Sequence, residues 1–292
     1  MLIELSNAVA DVVEKTAPSV VQVQGARRPA TGVVHAPEFV LTTGAAIGRD
    51  EHPHVRRADG RLLESELAGW DPTTRLALLR VPGLDGLPAT PGTLPRVGQI
   101  AIAIARSWSN SLTVTSGLVS VIGGPLRVGP RRAIEQVIRT SAPMHEGFAG
   151  GALIGVEGAL LGVATAASIR GLGVVIPSGI AWATASELQK QGTLKRGYIG
   201  IAAQPVGVPE KQKEQAGTDT ALLVVSVKDG TPAADAGPLV GDLLVSLDGQ
   251  GLSSPDDLLD LLVGDRVGRS VSFRVLRGGT PVDVQVTVAE RP

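Results

Sequence analysis

The chain has 292 residues, which at about 150 residues per domain points to two domains. Hydrophobic residues make up 43% of it before its 37 glycines are counted, which rules out wholesale disorder. With no cysteine, disulfides, thiolate catalysis and thiolate-ligated zinc are excluded, and a net charge of −1 gives no reason to expect nucleic acid as a partner. Of the four histidines only His52 and His54 are close in sequence, so neither a metal site nor a cofactor is expected.

From the N-terminus, Leu5, Ala8, Val9, Val12 and Val13 recur at helical spacing and Pro18 stops the pattern, which predicts a helix over residues 1–17. The segment lacks a basic leader and a small-residue cleavage site, so it does not read as a signal peptide. No stretch reaches the about 18–20 apolar residues of a membrane span. The chain as it stands is therefore expected in the cytoplasm, or in the periplasm or outside the cell if a leader has been removed. Short apolar runs follow, among them Val20–Val23, Phe39–Thr42, Leu62–Ala68, Leu76–Arg80, Ile100–Ala105, Leu112–Val121, Ala152–Ile154 and Leu160–Ala166. Many short strands separated by Gly, Pro, Asn and Asp favour a barrel or sandwich. A helix is expected over Ile180–Gln191, with Gly192–Arg196 as a connecting stretch. Beyond it, strands Ala221–Val227, Leu243–Leu247, Val271–Arg277 and Val282–Ala289 alternate with helices at Pro232–Ala236 and Pro255–Val263. The last helix has Ser254 as N-cap, Pro255 at the first helical position and Asp257 at the third.

Several segments, in this order and spacing, resemble the HtrA (Deg) family. They are Val12–Val23, Phe39–Thr42, Leu76–Val81, Thr113–Ser120, Arg139–Leu153, Gly173–Ser178, Arg196–Ile201 and Val225–Gly249. The resemblance implies a mostly β chain, a chymotrypsin-like double six-stranded β-barrel followed by a PDZ domain. Its parts would be an N-terminal helix over 1–17, the trypsin-like double barrel over 18–187, a linker over 188–196 and the PDZ domain over 197–292. It also implies a bacterial setting in protein quality control.

Catalysis in this family needs a serine nucleophile, a histidine that takes its proton and an aspartate that orients the histidine. By the resemblance, the histidine position falls on Ala45, the aspartate position on Arg75 and the serine position on Ala149. A methyl group is neither nucleophile nor base, and a guanidinium cannot accept a proton from imidazole. The flanks drift as well, at Gly44, Phe148 and Ala152, which reads as natural loss rather than engineered inactivation. His145 and Glu146 precede the old nucleophile turn. Adjacent residues on an extended segment point to opposite faces, which suits an exposed loop histidine better than an acid/base pair. The surviving glycines keep two readings open: Gly147 and Ala149 could still offer an oxyanion-hole remnant of backbone N–H groups, or the glycines only permit a tight turn.

The C-terminal module keeps more of its pattern. Residues Arg196–Ile201 resemble the family's carboxylate-binding loop, so Tyr198, Ile199, Gly200 and Ile201 are the implied contacts for a peptide C-terminus. Leu258 and Leu262, four apart on the last helix, would face the groove; their alternative is plain core packing. The expected function is that of a catalytically inactive pseudoprotease that binds peptides or protein C-termini through the PDZ domain. The alternatives are a serine endopeptidase, inactivated by engineering or using other chemistry, and a non-catalytic subunit of a hetero-oligomer with active homologues. Homo-oligomers stay open too, because residues 1–18 contain none of the aromatics through which relatives associate.

Overall fold

Helix α1 (Leu2–Thr16) forms over the predicted apolar spacing, and Pro18 turns the chain through a 3-10 segment, Ala17–Ser19. The computed structural model describes residues 2–25, 28–48, 52–129, 132–191, 197–262 and 266–290. Contacts divide the chain into two units, Met1–Thr193 and Leu194–Pro292.

In the first unit, strands β1 (Val20–Gln24), β2 (Ala30–Ala36) and β3 (Phe39–Thr43) lead into the one-turn helix α2 (Gly44–Ile47). Strands β4 (His54–Arg56), β5 (Leu62–Glu64), β6 (Glu66–Trp70) and β7 (Leu76–Arg80) complete a seven-stranded sheet in the order β5-β4-β1-β2-β3-β7-β6. The run Leu62–Ala68, read as one strand, is two. Ser65 interrupts it by donating its hydroxyl to the Pro53 carbonyl, and the two halves pair outward, β5 with β4 and β6 with β7. The sheet, a half-barrel, therefore begins and ends on the two halves of one continuous segment. Its core is Val21, Val23, Val34, Val40, Ile47, Val55, Leu67 and Leu79.

The second half does close. Strands β8 (Ile100–Ser107) and β9 (Ser111–Gly123) come first, then a separate hairpin of β10 (Leu126–Gly129) and β11 (Arg132–Ile134). With β12 (Val137–Thr140), β13 (Ala152–Ile154), β14 (Leu160–Ile169) and β15 (Leu172–Pro177), β8 and β9 form a six-stranded barrel in the order β12-β15-β14-β13-β8-β9. Small residues Ala101, Ala103 and Ala105 on β8 leave room inside it for Phe148, Leu153 and Val175. Helix α3 (Ser178–Gln191) buries Ala181, Ala185 and Leu188. It lies so close to β6 that a side chain at Gly69 would meet Leu188 at 3.0 Å. Residues 188–191 of the expected linker thus remain helical, and residues 192–196 lie outside the described residues.

In the second unit, β16 (Gly197–Tyr198) pairs with the terminal β23 (Ala289–Glu290). Strands β17 (Ile201–Gly207), β18 (Thr220–Val227), β19 (Leu243–Leu247), β21 (Ser270–Arg277) and β22 (Thr280–Thr287) form a sheet in that order, with β20 (Gln250–Gly251) on β19. Helices α4 (Lys213–Ala216), α5 (Pro232–Ala236) and α6 (Pro255–Leu261) accompany it. The capping box read from the sequence is present on α6. Burial alone would raise the Asp257 carboxyl, but hydrogen bonds from Ser253 and Ser254 hold it below the usual carboxylate range. The helix is shorter than expected, with Leu262 as its C-cap and Val263 outside the described residues. The core joins Leu222, Val224, Leu244, Leu247, Phe273 and Val286 to the leucines of α6.

Candidate functional site

Three segments meet at the end of β3. The first residue of α2, Gly44, donates its N–H to the Arg75 carbonyl at 2.8 Å, which brings the segment with Ala45 against the one with Arg75. Ala45 itself is exposed, and its neighbour Ala46 turns inward, its N–H donating to the Thr43 hydroxyl at 3.3 Å. Arg75 sits at φ 58°, in the left-handed region. Asp71 shapes that turn, accepting from the Thr74 N–H and the Thr74 hydroxyl, each at 2.6 Å. The Arg75 guanidinium reaches toward the Val128 carbonyl on β10, at 3.4 Å.

Ala149 is only 5% exposed and packs with Ala30, Ala46 and, more loosely, Ala166. The side chains gathered around Ala149 are methyl groups. Alanine side chains offer no donor, acceptor or nucleophile. The turn that carries Ala149 is fixed by buried threonines: Thr31 N–H donates to the Ala149 carbonyl at 3.0 Å and Thr31 Oγ1 to the Gly147 carbonyl at 2.8 Å. Thr42 Oγ1 in turn donates to the Thr31 carbonyl at 2.6 Å. Gly150, at φ 80°, has no space for a side chain, because a Cβ there would lie 2.1 Å from the Thr31 carbonyl oxygen.

The two amides singled out as an oxyanion-hole remnant both have acceptors inside the turn. Gly147 N–H donates to His145 Nδ1 at 3.0 Å, and Ala149 N–H donates to the Glu146 carbonyl at 3.0 Å. Residues Glu146–Phe148 are therefore wound into a 3-10 turn with His145 as its cap. The His145 ring also stands edge-on to Phe148, with centroids 5.0 Å apart, and Phe148 is fully buried in the barrel. His145 is exposed, as the sequence reading expected, but its role as the cap of this turn was missed. The same reading missed Thr31 and Ala166, which lie far from the motif in sequence. Among the described residues no group of three His, Asp or Glu side chains could hold a metal ion.

In the second unit, Tyr198 lies in β16, opposite Ala289, and Ile201 opens β17. Between them the chain turns at Gly200, φ 85°, where a Cβ would strike Thr231 Oγ1 at 2.1 Å. The carbonyls of Ile199 and Gly200 accept from Ala233 N–H and Lys228 N–H, both at 2.9 Å. Their own N–H groups have no acceptor among the described residues. Strand β17 ends its sheet, so one of its edges carries no strand among the described residues. Leu258 and Leu262 are buried, 6% and 2% exposed, in one cluster with Ile199, and Ile201 packs against it.

The chain matches two family models, a trypsin-like peptidase domain over residues 30–163 and a PDZ domain over residues 197–288. It is 30% identical over 259 residues to the periplasmic pH-dependent serine endoprotease DegQ of Escherichia coli K12, a match over 86% of this chain and 56% of that protein. It therefore spans about half the length of that relative. It is 30% identical over 268 residues to the serine endoprotease DegS of Salmonella typhimurium, covering 87% of this chain and 74% of that one. Among solved structures it is similar to the HtrA-type protease AlgW with decapeptide, with TM-score 0.56 and 25% identity over 97% of this chain and 99% of that one. The serine endoprotease from Yersinia pestis gives TM-score 0.56 and 27% identity, over 97% and 98% of the two chains. A trypsin-like unit that closes one six-stranded barrel, a PDZ unit after it and relatives of this coverage lead to one conclusion: the chain belongs to the HtrA family.

Proposed function

We propose that this chain is a non-catalytic member of its family, a pseudoprotease that holds protein C-termini through its PDZ domain. The observation that carries the reading is Ala149, packed with Ala30, Ala46 and Ala166 at the position of the nucleophile. Acyl transfer needs a nucleophile, a base and an orienting acceptor. Ala149, Ala45 and Arg75 supply none of the three. The internal partners of Gly147 N–H and Ala149 N–H support the same reading, since an oxyanion would have to displace them. The amides of Ile199 and Gly200, without an acceptor among the described residues, and the edge of β17 that carries no strand among them support capture of a C-terminal carboxylate. The rest of the peptide would then add to β17 as a further strand.

DegQ is named as periplasmic and the AlgW structure contains a decapeptide. Those relatives favour a periplasmic setting and a peptide ligand for this chain. No helix among the described residues is long and apolar enough to cross a membrane. The test has two arms. Purified protein incubated with casein and a fluorophosphonate probe is expected to show neither cleavage nor labelling, and labelling of a serine within 102–178 would overturn inactivity. A peptide ending in valine should bind with a dissociation constant on the order of micromolar. Its C-terminal amide should bind about tenfold more weakly, because a charge-assisted contact to the loop amides is lost.

A further inference from the structure

Strand β17 ends its sheet, with no strand among the described residues on its outer edge, and Pro205 is its fifth residue. Proline donates no backbone hydrogen bond, so its effect in a strand depends on which side the missing N–H would face. In an antiparallel pair the N–H and C=O of one residue point to the same neighbour, and those of the next residue point away. Val224 on β18 turns both away from β17: its N–H donates to the Asp242 carbonyl and its carbonyl accepts the Gly241 N–H, each at 2.9 Å. Its register partner on β17 is Ala203, so Ala203 directs its own N–H and carbonyl to the outer edge. The start of the strand has the same phase. The Gly200 carbonyl accepts the Lys228 N–H at 2.9 Å, which points Gly200 into the sheet and Ile201 out of it. The register shift between Ala202 and Ala203 puts the extra residue, Val225, on β18, so the alternation along β17 runs unbroken. Ile201, Ala203 and Pro205 therefore face the outer edge, and Pro205 offers it a carbonyl but no N–H.

We infer that Pro205 ends the strand that a bound peptide adds to this unit, so that recognition covers the last four residues of a protein C-terminus and gains little from the backbone before them. The loop proposed to take the carboxylate is held at both ends, by the Gly197 N–H on the Leu262 carbonyl at 2.7 Å and by the Gly200 carbonyl on Lys228. The register of the peptide is thus set from its C-terminus. With the terminal residue opposite Ile201, the third-last lies opposite Ala203 and the fifth-last opposite Pro205. The pair at Ala203 closes with two hydrogen bonds. At Pro205 the fifth-last carbonyl meets the ring Cδ in place of a donor and is taken from water unpaired, which is unfavourable. No later residue restores the ladder. Gly207 is the last of β17, and Val208 turns back to give its N–H to the Asp219 carbonyl at 2.9 Å, with Pro209 after it. Pro205 is exposed, so core packing does not account for the ring, whereas proline on an edge strand blocks further pairing.

This inference rests on the proposed capture of C-termini by the loop and β17, and the experiment separates the two. The full chain is titrated with N-acetylated peptides of two, four, six and eight residues, built of alanine and serine before a final valine, and with the four-residue peptide as its C-terminal amide. Affinity is expected to rise about fivefold or more from two residues to four, through the pair at Ala203, and less than about twofold from four to eight. N-methylation of the third-last residue is expected to weaken the six-residue peptide about threefold or more. Pro205→Ala restores the missing donor at an exposed position and is expected to bind the six-residue peptide about fivefold more tightly than the four-residue one. A parent chain whose affinity climbs from four residues to six as steeply as from two to four overturns the stop at Pro205 and leaves capture standing; this arm serves if the variant does not fold. A length profile in Pro205→Ala as flat as the parent's overturns the role given to the proline. Unchanged binding after N-methylation overturns strand addition, and the inference with it. Equal binding of acid and amide overturns carboxylate capture itself.

Discussion

His145 Nδ1 accepts the Gly147 N–H at 3.0 Å, so the amide that would polarise a substrate carbonyl is taken up by a side chain two residues away. Phe148, fully buried in the barrel, packs edge-on to the same ring.

Rebuilding catalysis is therefore expected to need more than three residues. Ala149→Ser alone leaves the hydroxyl without a base and should give no fluorophosphonate labelling. Ala45→His with Ala149→Ser should stay poor, since loss of the orienting aspartate costs about 10⁴-fold in the serine-protease template. With Arg75→Asp added, labelling should remain slow until His145→Ala also releases the Gly147 amide. That last change is expected to raise the labelling rate by about 10²-fold, the worth of one oxyanion donor. An equal rate with and without His145→Ala would refute the role given to this imidazole.

Thr31→Val is expected to destabilise the first unit by about 2 kcal/mol. Thr31 is fully buried, its hydroxyl donates to the Gly147 carbonyl at 2.8 Å and accepts from the Arg106 N–H at 3.0 Å. An isosteric methyl leaves both groups buried without a partner, each at about 1–3 kcal/mol before relaxation. Urea unfolding followed by tryptophan fluorescence measures the difference, and a shift below a few tenths of a kcal/mol would show that the network contributes little.

His35 links stability of the first unit to pH. Burial lowers its pKa below the ordinary value of 6.5, with a Gln189 hydrogen bond opposing in part. Its ring packs edge-on to Trp182 of α3 at 5.2 Å, and Nδ1 is buried without a partner among the described residues. The folded state thus prefers the neutral ring. Above pH 6.5 both folded and unfolded chains are neutral here and nothing is lost. As pH falls below that value the unfolded chain binds the proton first, so stability declines until the folded-state pKa is passed. His35→Phe keeps the ring contact and removes the titration. The drop in urea midpoint from pH 7.5 to pH 5 should be smaller in this variant than in the parent chain.

The second unit depends on one buried carboxylate. Asp242 receives Arg277 through Nε at 3.0 Å and Nη2 at 2.8 Å, and the Leu239 N–H at 2.9 Å. Burial would raise its pKa, but these contacts hold it below the usual carboxylate range. Its side chain is 2% exposed and that of Arg277 38%. Asp242→Asn is expected to cost about 2–3 kcal/mol, less than a fully buried broken pair because Arg277 keeps contact with water. The stabilisation from Asp242 is present above the unfolded carboxylate pKa and is lost as pH falls through the lower folded value. Unfolding of the full chain, with Tyr198 fluorescence and circular dichroism as probes, should show the second transition moving while the first stays in place.

Residue types at fixed spacing were enough to identify the family resemblance and the two-domain plan. The Ser254–Asp257 capping box was equally legible, because a cap is a local contact among residues three apart. The same kind of reading split no run at Ser65, since its partner, the Pro53 carbonyl, is twelve residues away. It left Leu258 and Leu262 between groove and core, as a helix apolar on nearly every face carries no periodic signal for which face is buried. Only the folded sheets decide which methyl groups surround Ala149: Ala30, Ala46 and Ala166 come from three separate segments, and strand register and barrel closure bring them together. The bonds from Gly147 to His145 and from Gly197 to Leu262 were hidden for a related reason. A backbone N–H looks the same in every residue but proline, so its partner is fixed by the path of the chain and not by the side chain it belongs to.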